Sequence, residues 1–229
     1  MAQFLEFVDA GASAAALAQH VAKRLGEDLA AGAGAVLVVS GGRTPVPFFQ
    51  ALAVQPLDWA RVIVTLADER WVPPDHPDSN EALVRRNLLS GRAAAARLVP
   101  LFTADASPAA AAEALAPVLE ALPRPFSQVV LGMGEDGHIA SLFPDALELA
   151  RGLATAAPVL AVHPGAAPHP RLSLSLSALL GARDIALLLA GEDKRAVLVR
   201  ALGDGPVEAL PVRAILRQTG APVSVFWAP

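Results

Sequence analysis

Cysteine is absent from the 229 residues. That absence excludes disulfides, zinc–thiolate centres and a thiol nucleophile, and it fits a reducing compartment. Aromatic residues are scarce at 5%, and positive charge does not dominate: 18 Lys and Arg stand against 22 Asp and Glu, a net charge of -4. No global basic field is therefore on offer to nucleic acid or to an anionic membrane, and affinity for an anionic ligand must come from a local cluster. No apolar run reaches transmembrane length, because charges or prolines interrupt each one. The opening MAQFLEFVDA lacks the basic start and apolar stretch of a secretory signal. Neither a G-x-x-x-x-G-K-[ST] phosphate loop nor a G-x-S-x-G nucleophile elbow occurs. These exclusions leave a cytoplasmic enzyme acting on a small molecule as the expectation, with neither nucleic acid nor membrane as partner.

What is present is apolar material, 54% of the chain and much of it alanine. The length fits one domain over 1–229, since no repeat, charge block or linker divides it. Short apolar runs at 34–40, 61–68, 127–133 and 183–190 have the length and Val/Ile/Leu content of strands buried on both faces. Helical patterns lie between them at 12–30, 45–53, 80–89, 108–122 and 193–202. Such alternation predicts an α/β fold, a mostly parallel sheet covered by helices on both faces. A few additional strands are expected. Residues 4–9 read as an edge strand and APVSVFW as a final one, while RLSLSLS (171–177) alternates strictly and predicts a polar or solvated face.

Four segments carry candidate chemistry. In VVSGGRTP (38–45), Gly41 and Gly42 follow a strand, and Thr44 and Pro45 read as N-cap and first residue of a helix. Such a turn suits either an anion, with Arg43 adding a charge-assisted contact, or an ordinary capped connection. In LADERWVPPDHPDSN (66–80), Asp68, Glu69 and Arg70 stand at a strand's carboxyl end, where parallel α/β folds place their sites. A surface loop with local ion pairs is the alternative, and Ser79 and Asn80 read as a helix cap. In RLSLSLSALLGARDIALLLAGEDKRAVL (171–198), Arg171 and Lys194 read either as anion-binding cations or as solvated surface charges; a cation in a first helical turn opposes the helix dipole, which an anionic ligand there would explain.

The fourth segment, VVLGMGEDGHIASLFP (129–144), is the most informative. Its Gly132-x-Gly134-x-x-Gly137 imitates a dinucleotide fingerprint. Three features oppose that reading: its place in mid-chain, the side chains of Glu135, Asp136 and His138 in the loop, and Pro144, which cuts short any following helix. The loop instead presents Asp136 and His138 on either side of a glycine. Imidazole is the natural general base near neutral pH, and a neighbouring carboxylate can orient it. His20, His76, His163 and His169 read as loop residues, without partners at metal-like spacing.

Taken together and in this order, the segments resemble 6-phosphogluconolactonases over nearly the whole chain. LGMGEDGHIASLFP is very close to that family's LGMG-x-DGH-x-ASLFP signature. The SGGRTP, DERWVP, DSN and GEDK segments and the GAPVSVFWA ending are similar too. The resemblance implies a Rossmann-like sheet and hydrolysis of a phosphorylated sugar lactone in the pentose phosphate pathway, with no cofactor or metal. It also implies that His138 activates water, with Asp136 holding the imidazole or a sugar hydroxyl. Gly41, Gly42, Arg43, Thr44, Asp68, Arg70, Gly134, Arg171 and Lys194 are then the candidates for binding substrate and its phosphate. A monomer or small homo-oligomer is expected, and the roles of Glu69 and Glu135 stay open.

Arg43, Ile139, Ser173 and Ser175 depart from the family's usual Ser, Thr, Thr and Thr, and none touches the acid–base pair. The related glucosamine-6-phosphate deaminases continue past DGH-I-A with F-N-E-P. Here Ser141-Leu142-Phe143-Pro144 supplies no acid there. A non-catalytic sugar-phosphate sensor is the third reading, and it is expected to have lost Asp136 and His138.

Overall fold

A computed structural model describes residues 2–32, 34–105 and 107–229. Seven strands form an all-parallel sheet in the order β1 (Gln3–Glu6), β10 (Val223–Ala228), β9 (Ile185–Ala190), β6 (Gln128–Leu131), β2 (Ala35–Val39), β3 (Val62–Leu66), β5 (Arg97–Val99). A second, antiparallel sheet orders β4 (Asp68–Arg70), β8 (Arg171–Leu174) and β7 (Val159–Val162). The central strands β2 and β6 are buried throughout, as expected of strands covered on both faces.

Helix α1 (Ala10–Ala30) starts where the Asp9 carboxylate accepts the Ala12 N–H at 2.7 Å. It buries Ala14, Leu17, Ala18, Val21, Leu25 and Leu29, a stripe at helical spacing. One continuous apolar core takes residues from this stripe, from the parallel sheet and from Leu172 and Leu174 of the small sheet. Truncating a fully buried member such as Leu37 to Ala costs on the order of 2–5 kcal/mol.

The remaining helices are α2 (Val46–Ala53), α3 (Asn80–Asn87), α4 (Pro108–Glu120), α5 (Leu149–Ala154), α6 (Leu176–Leu180), α7 (Glu192–Leu202) and α8 (Val212–Arg217). Each of the helical patterns predicted from sequence is present. Strand β5 and the short helices α5, α6 and α8 were not anticipated.

Three expectations need correction. Thr44 does not cap α2: Pro45 already has helical dihedrals and occupies the cap position without a side-chain bond, so the chain enters the helix through a turn closed by Val46 N–H to Arg43 C=O. The strict alternation of RLSLSLS does not continue as one strand: β8 ends at Leu174, Ser177 lies exposed in α6, and the polar side chains of the first part are not solvated. Ser173 and Ser175 are fully buried, because Ser173 Oγ accepts the Ser141 N–H and donates to Leu174 C=O, and Ser175 caps α6. His20 lies in the middle of α1, not in a loop, and its Nε2 sits 3.0 Å from the Asp184 carboxylate.

Candidate active site

Four neighbouring strands, β9, β6, β2 and β3, end at one rim of the sheet, and the segments leading on from them close around a cavity of about 330 Å³. That volume is in the range of small-ligand sites. From β2 come Ser40, Gly41, Gly42 and Thr44; from β6 come Gly132, Met133, His138, Ala140 and Phe143; from the end of β9 and from α7 come Leu189, Ala190 and Lys194. Asp68 and Arg70 of β4 and Arg171 of β8 complete the wall. The imidazole at 138 and the two glycines at 41–42 therefore share one pocket.

The His138 loop is shaped by glycine at two points. Gly137 has φ +77°, and a Cβ there would meet Leu210 at 2.6 Å. A Cβ at Gly134 would collide with the His138 ring and the Asp136 carboxylate. Gly134 thus does not line the cavity; it makes room for the His138 ring, which does, and for the Asp136 carboxylate, which binds that ring without itself being part of the cavity wall. Asp136 Oδ1 lies 2.6 Å from His138 Nδ1 and also accepts the His138 N–H at 3.1 Å. With Nδ1 turned to a carboxylate, Nε2 is the ring nitrogen left to serve as a base. Partial burial acts to raise the Asp136 carboxyl, but the hydrogen bonds and charge of His138 outweigh it and hold the group below the ordinary aspartate value. Phe143 packs against the imidazole with ring centroids 4.1 Å apart. Ala140, two residues on from His138, holds φ +47°, an uncommon conformation for a residue with a side chain.

Asp68 Oδ2 accepts a 2.6 Å hydrogen bond from Ser141 Oγ, tying the His138 loop to the small sheet. Register then pairs Asp68 with Ser173 and Arg70 with Arg171, so both arginines sit side by side across β4 and β8. Arg171 is only 6% exposed, its Nε has no hydrogen-bond partner among the described residues, and its guanidinium stands 5.9 Å from the Phe143 ring centre. Burial pushes the Arg171 pKa down; Asp68, Glu69 and Asp78 counter this and Arg70 adds to it. A buried guanidinium with an unmet N–H at a cavity wall is suited to an anion.

Glu69, left open by sequence, turns away from the cavity. Its carboxylate accepts from the backbone of Arg70, Asn80 and Glu81 and from Ser79 Oγ, fastening β4 to the start of α3. Burial raises its pKa, and those backbone bonds offset the shift only in part. Glu135 is exposed, with an oxygen 3.9 Å from Lys194 Nζ. Arg43 is exposed and does not line the cavity.

Two residues of the cavity wall were missed or undervalued by sequence. Ser79 does cap α3, as predicted, but Asn80 does more than start the helix. Its side chain donates to Asp68 C=O at 2.9 Å, lines the cavity and fills the space that a Cβ at Gly41 would need. Phe143 looked like a plain apolar residue of the signature. Among the described residues no group of three or more His, Asp or Glu side chains is placed to hold a metal, and no helix is long and apolar enough to cross a membrane.

A parallel α/β sheet with a carboxylate-bound histidine and a buried arginine at its carboxyl rim defines a class of small-molecule site, one suited to an anionic ligand and to proton transfer. Comparison with known proteins narrows that class. The family model for glucosamine-6-phosphate isomerases/6-phosphogluconolactonase matches residues 8–227. A 6-phosphogluconolactonase of Mesorhizobium japonicum is 48% identical over 225 residues, covering 97% of this chain and 94% of that protein. One of Pseudomonas aeruginosa is 46% identical over 222 residues, covering 96% and 92%. The crystal structure of a 6-phosphogluconolactonase from Shewanella baltica superposes with a TM-score of 0.98 at 45% identity, covering 100% of this chain and 98% of that one. The chain belongs to the glucosamine-6-phosphate isomerase/6-phosphogluconolactonase family.

Proposed function

We propose that this protein hydrolyses 6-phospho-D-glucono-1,5-lactone to 6-phosphogluconate, acting in the cytoplasm as part of the oxidative pentose phosphate pathway. The observation that carries this reading is the placement of a carboxylate-held imidazole, His138, and a buried guanidinium, Arg171, on the walls of one cavity. The names and close similarity of the relatives support the substrate.

The phosphate binds at the arginine pair, Arg70 and Arg171, with Lys194 and the N–H groups of the Gly41–Thr44 turn as further donors. Holding the distal phosphate fixes C1 of the lactone near Nε2 of His138. Nε2 removes a proton from water as the water oxygen bonds to C1. The C1–O5 bond then breaks, and the imidazolium returns its proton to O5, leaving the open-chain acid. Asp136 keeps Nδ1 protonated and stabilises the transient imidazolium. Asp68, fixed by Ser141, takes a sugar hydroxyl.

A pH-stat assay of lactone opening, corrected for spontaneous hydrolysis, tests the reading with the phosphorylated and the unphosphorylated lactone side by side. The expected result is turnover with a strong preference for the phosphorylated substrate. Turnover no faster than the spontaneous rate, or release of ammonia from glucosamine 6-phosphate in its place, would overturn it.

A further inference from the structure

Two histidines set aside in the sequence meet an aspartate whose backbone is bound by Arg70 of the cavity wall. His169 Nε2 lies 3.0 Å from Asp78 Oδ2, His76 Nδ1 accepts the Asp78 N–H at 3.1 Å, and the two rings stand edge to face at 5.6 Å. The two loops that meet here are 91 residues apart and are joined again where Trp71 N–H donates to Pro170 C=O at 2.8 Å. His169 holds φ +68°, an unfavourable conformation for a residue with a Cβ, maintained where its ring meets Asp78.

The charges around this contact have a direct bearing on the anion end of the site. Arg70 Nη1 donates to the backbone carbonyl of Asp78, at 2.5 Å, and not to its carboxylate. The carboxylate of the same residue goes to His169, while its charge is still felt by both Arg70 and Arg171. An aspartate free to rotate beside two arginines is an internal competitor for any phosphate they are meant to bind.

Resting on the phosphate site described above, we infer that His169 is a positioning residue for anion binding: it holds the Asp78 carboxylate aside, so that Arg70 takes only a neutral carbonyl and both guanidiniums stay open to the substrate phosphate. His76 supports the arrangement by fixing the Asp78 backbone. The groups facing the Asp78 carboxylate are His169, His76, Arg70 and Arg171.

The test compares His169→Ala, His169→Gln and the double variant His169→Ala/Asp78→Asn, each checked for folding by circular dichroism. His169→Ala is expected to raise KM for the phosphorylated lactone about five- to tenfold with kcat little changed, the scale of one charge-assisted contact at a partly exposed site. Opening of the unphosphorylated lactone should be unaffected. His169→Gln, whose amide can still donate to Asp78, should stay near wild type. The double variant, with no carboxylate left to compete, should regain most of the lost affinity; a purely structural role predicts that it is at least as impaired as the single variant. Titration of the same proteins with inorganic phosphate reads the anion site without turnover, and so separates this inference from the proposed reaction. An unchanged KM in His169→Ala, an equal effect on both lactones, or a double variant no better than the single would overturn it.

Discussion

Asp136 engages His138 twice, through the ring nitrogen at 2.6 Å and through the backbone N–H at 3.1 Å. One carboxylate thereby fixes both the tautomer and the place of the imidazole, which is what a general base needs before it meets its water. Replacing His138 by Ala is expected to lower kcat by about 10²- to 10⁴-fold with the fold intact. A pH-stat rate within a few-fold of wild type would remove His138 from the proposed role.

Asp136→Asn should lower kcat by about 10²-fold and leave KM nearly unchanged, because a neutral amide gives no charge to stabilise the imidazolium and can turn its NH2 to Nδ1, favouring the wrong tautomer. Its stability effect has a defined pH dependence. The Asp136 carboxyl is held below its ordinary value, so its ionised form stabilises the fold above the ordinary aspartate range. That contribution is lost as pH falls through the lowered value. Urea unfolding of wild type and variant should therefore differ at neutral pH and converge in acid.

Gly134→Ala separates shape from stability. The added methyl collides with the His138 ring and the Asp136 carboxylate, both partly exposed and free to shift outward. Activity is expected to fall at least about tenfold while the unfolding midpoint moves by little, since the nearest atoms the methyl meets are the ends of the His138 and Asp136 side chains. A large drop in thermal stability with activity retained would contradict that role for the glycine.

Arg171→Met keeps the apolar stem and removes the charge. KM for the phosphorylated lactone should rise by about 30-fold or more, the loss expected of one buried charged partner, while the unphosphorylated lactone is turned over as before. Arg171→Lys should restore only part of the affinity, because an ammonium cannot reproduce the planar fork of donors.

Glu69 titrates in the opposite sense to Asp136. Burial raises its carboxyl, so wild type loses stability relative to Glu69→Gln as pH climbs from the ordinary glutamate value through the raised one. Unfolding free energies of the two proteins measured at acid and at neutral pH check the direction of the difference.

The parallel sheet was legible because β2, β3, β6 and β9 are short, Val/Ile/Leu-rich apolar runs soon followed by glycine or charge, too short for buried helices. The conformation of the His138 loop was legible because three glycines at 132, 134 and 137 interrupt it, and two of them, Gly134 and Gly137, stand where a side chain would collide. Short elements were not: Arg97–Val99 and Val212–Arg217 are too brief for a period to show and form because tertiary neighbours hold them. Thr44 misled because local cap preference gave way to a turn closed at Arg43 C=O. Asn80 and His169 were undervalued for one reason: the partners that give them meaning, Gly41 and Asp78, lie 39 and 91 residues away.

The pairing of β1 with β10 also bears on how the molecule comes into being. More than 200 residues of chain separate Gln3–Glu6 from Val223–Ala228, the strand it docks on. On the ribosome, the first strand must wait unpaired while more than 200 residues are added, so closure of that sheet edge is a late, long-range event in folding.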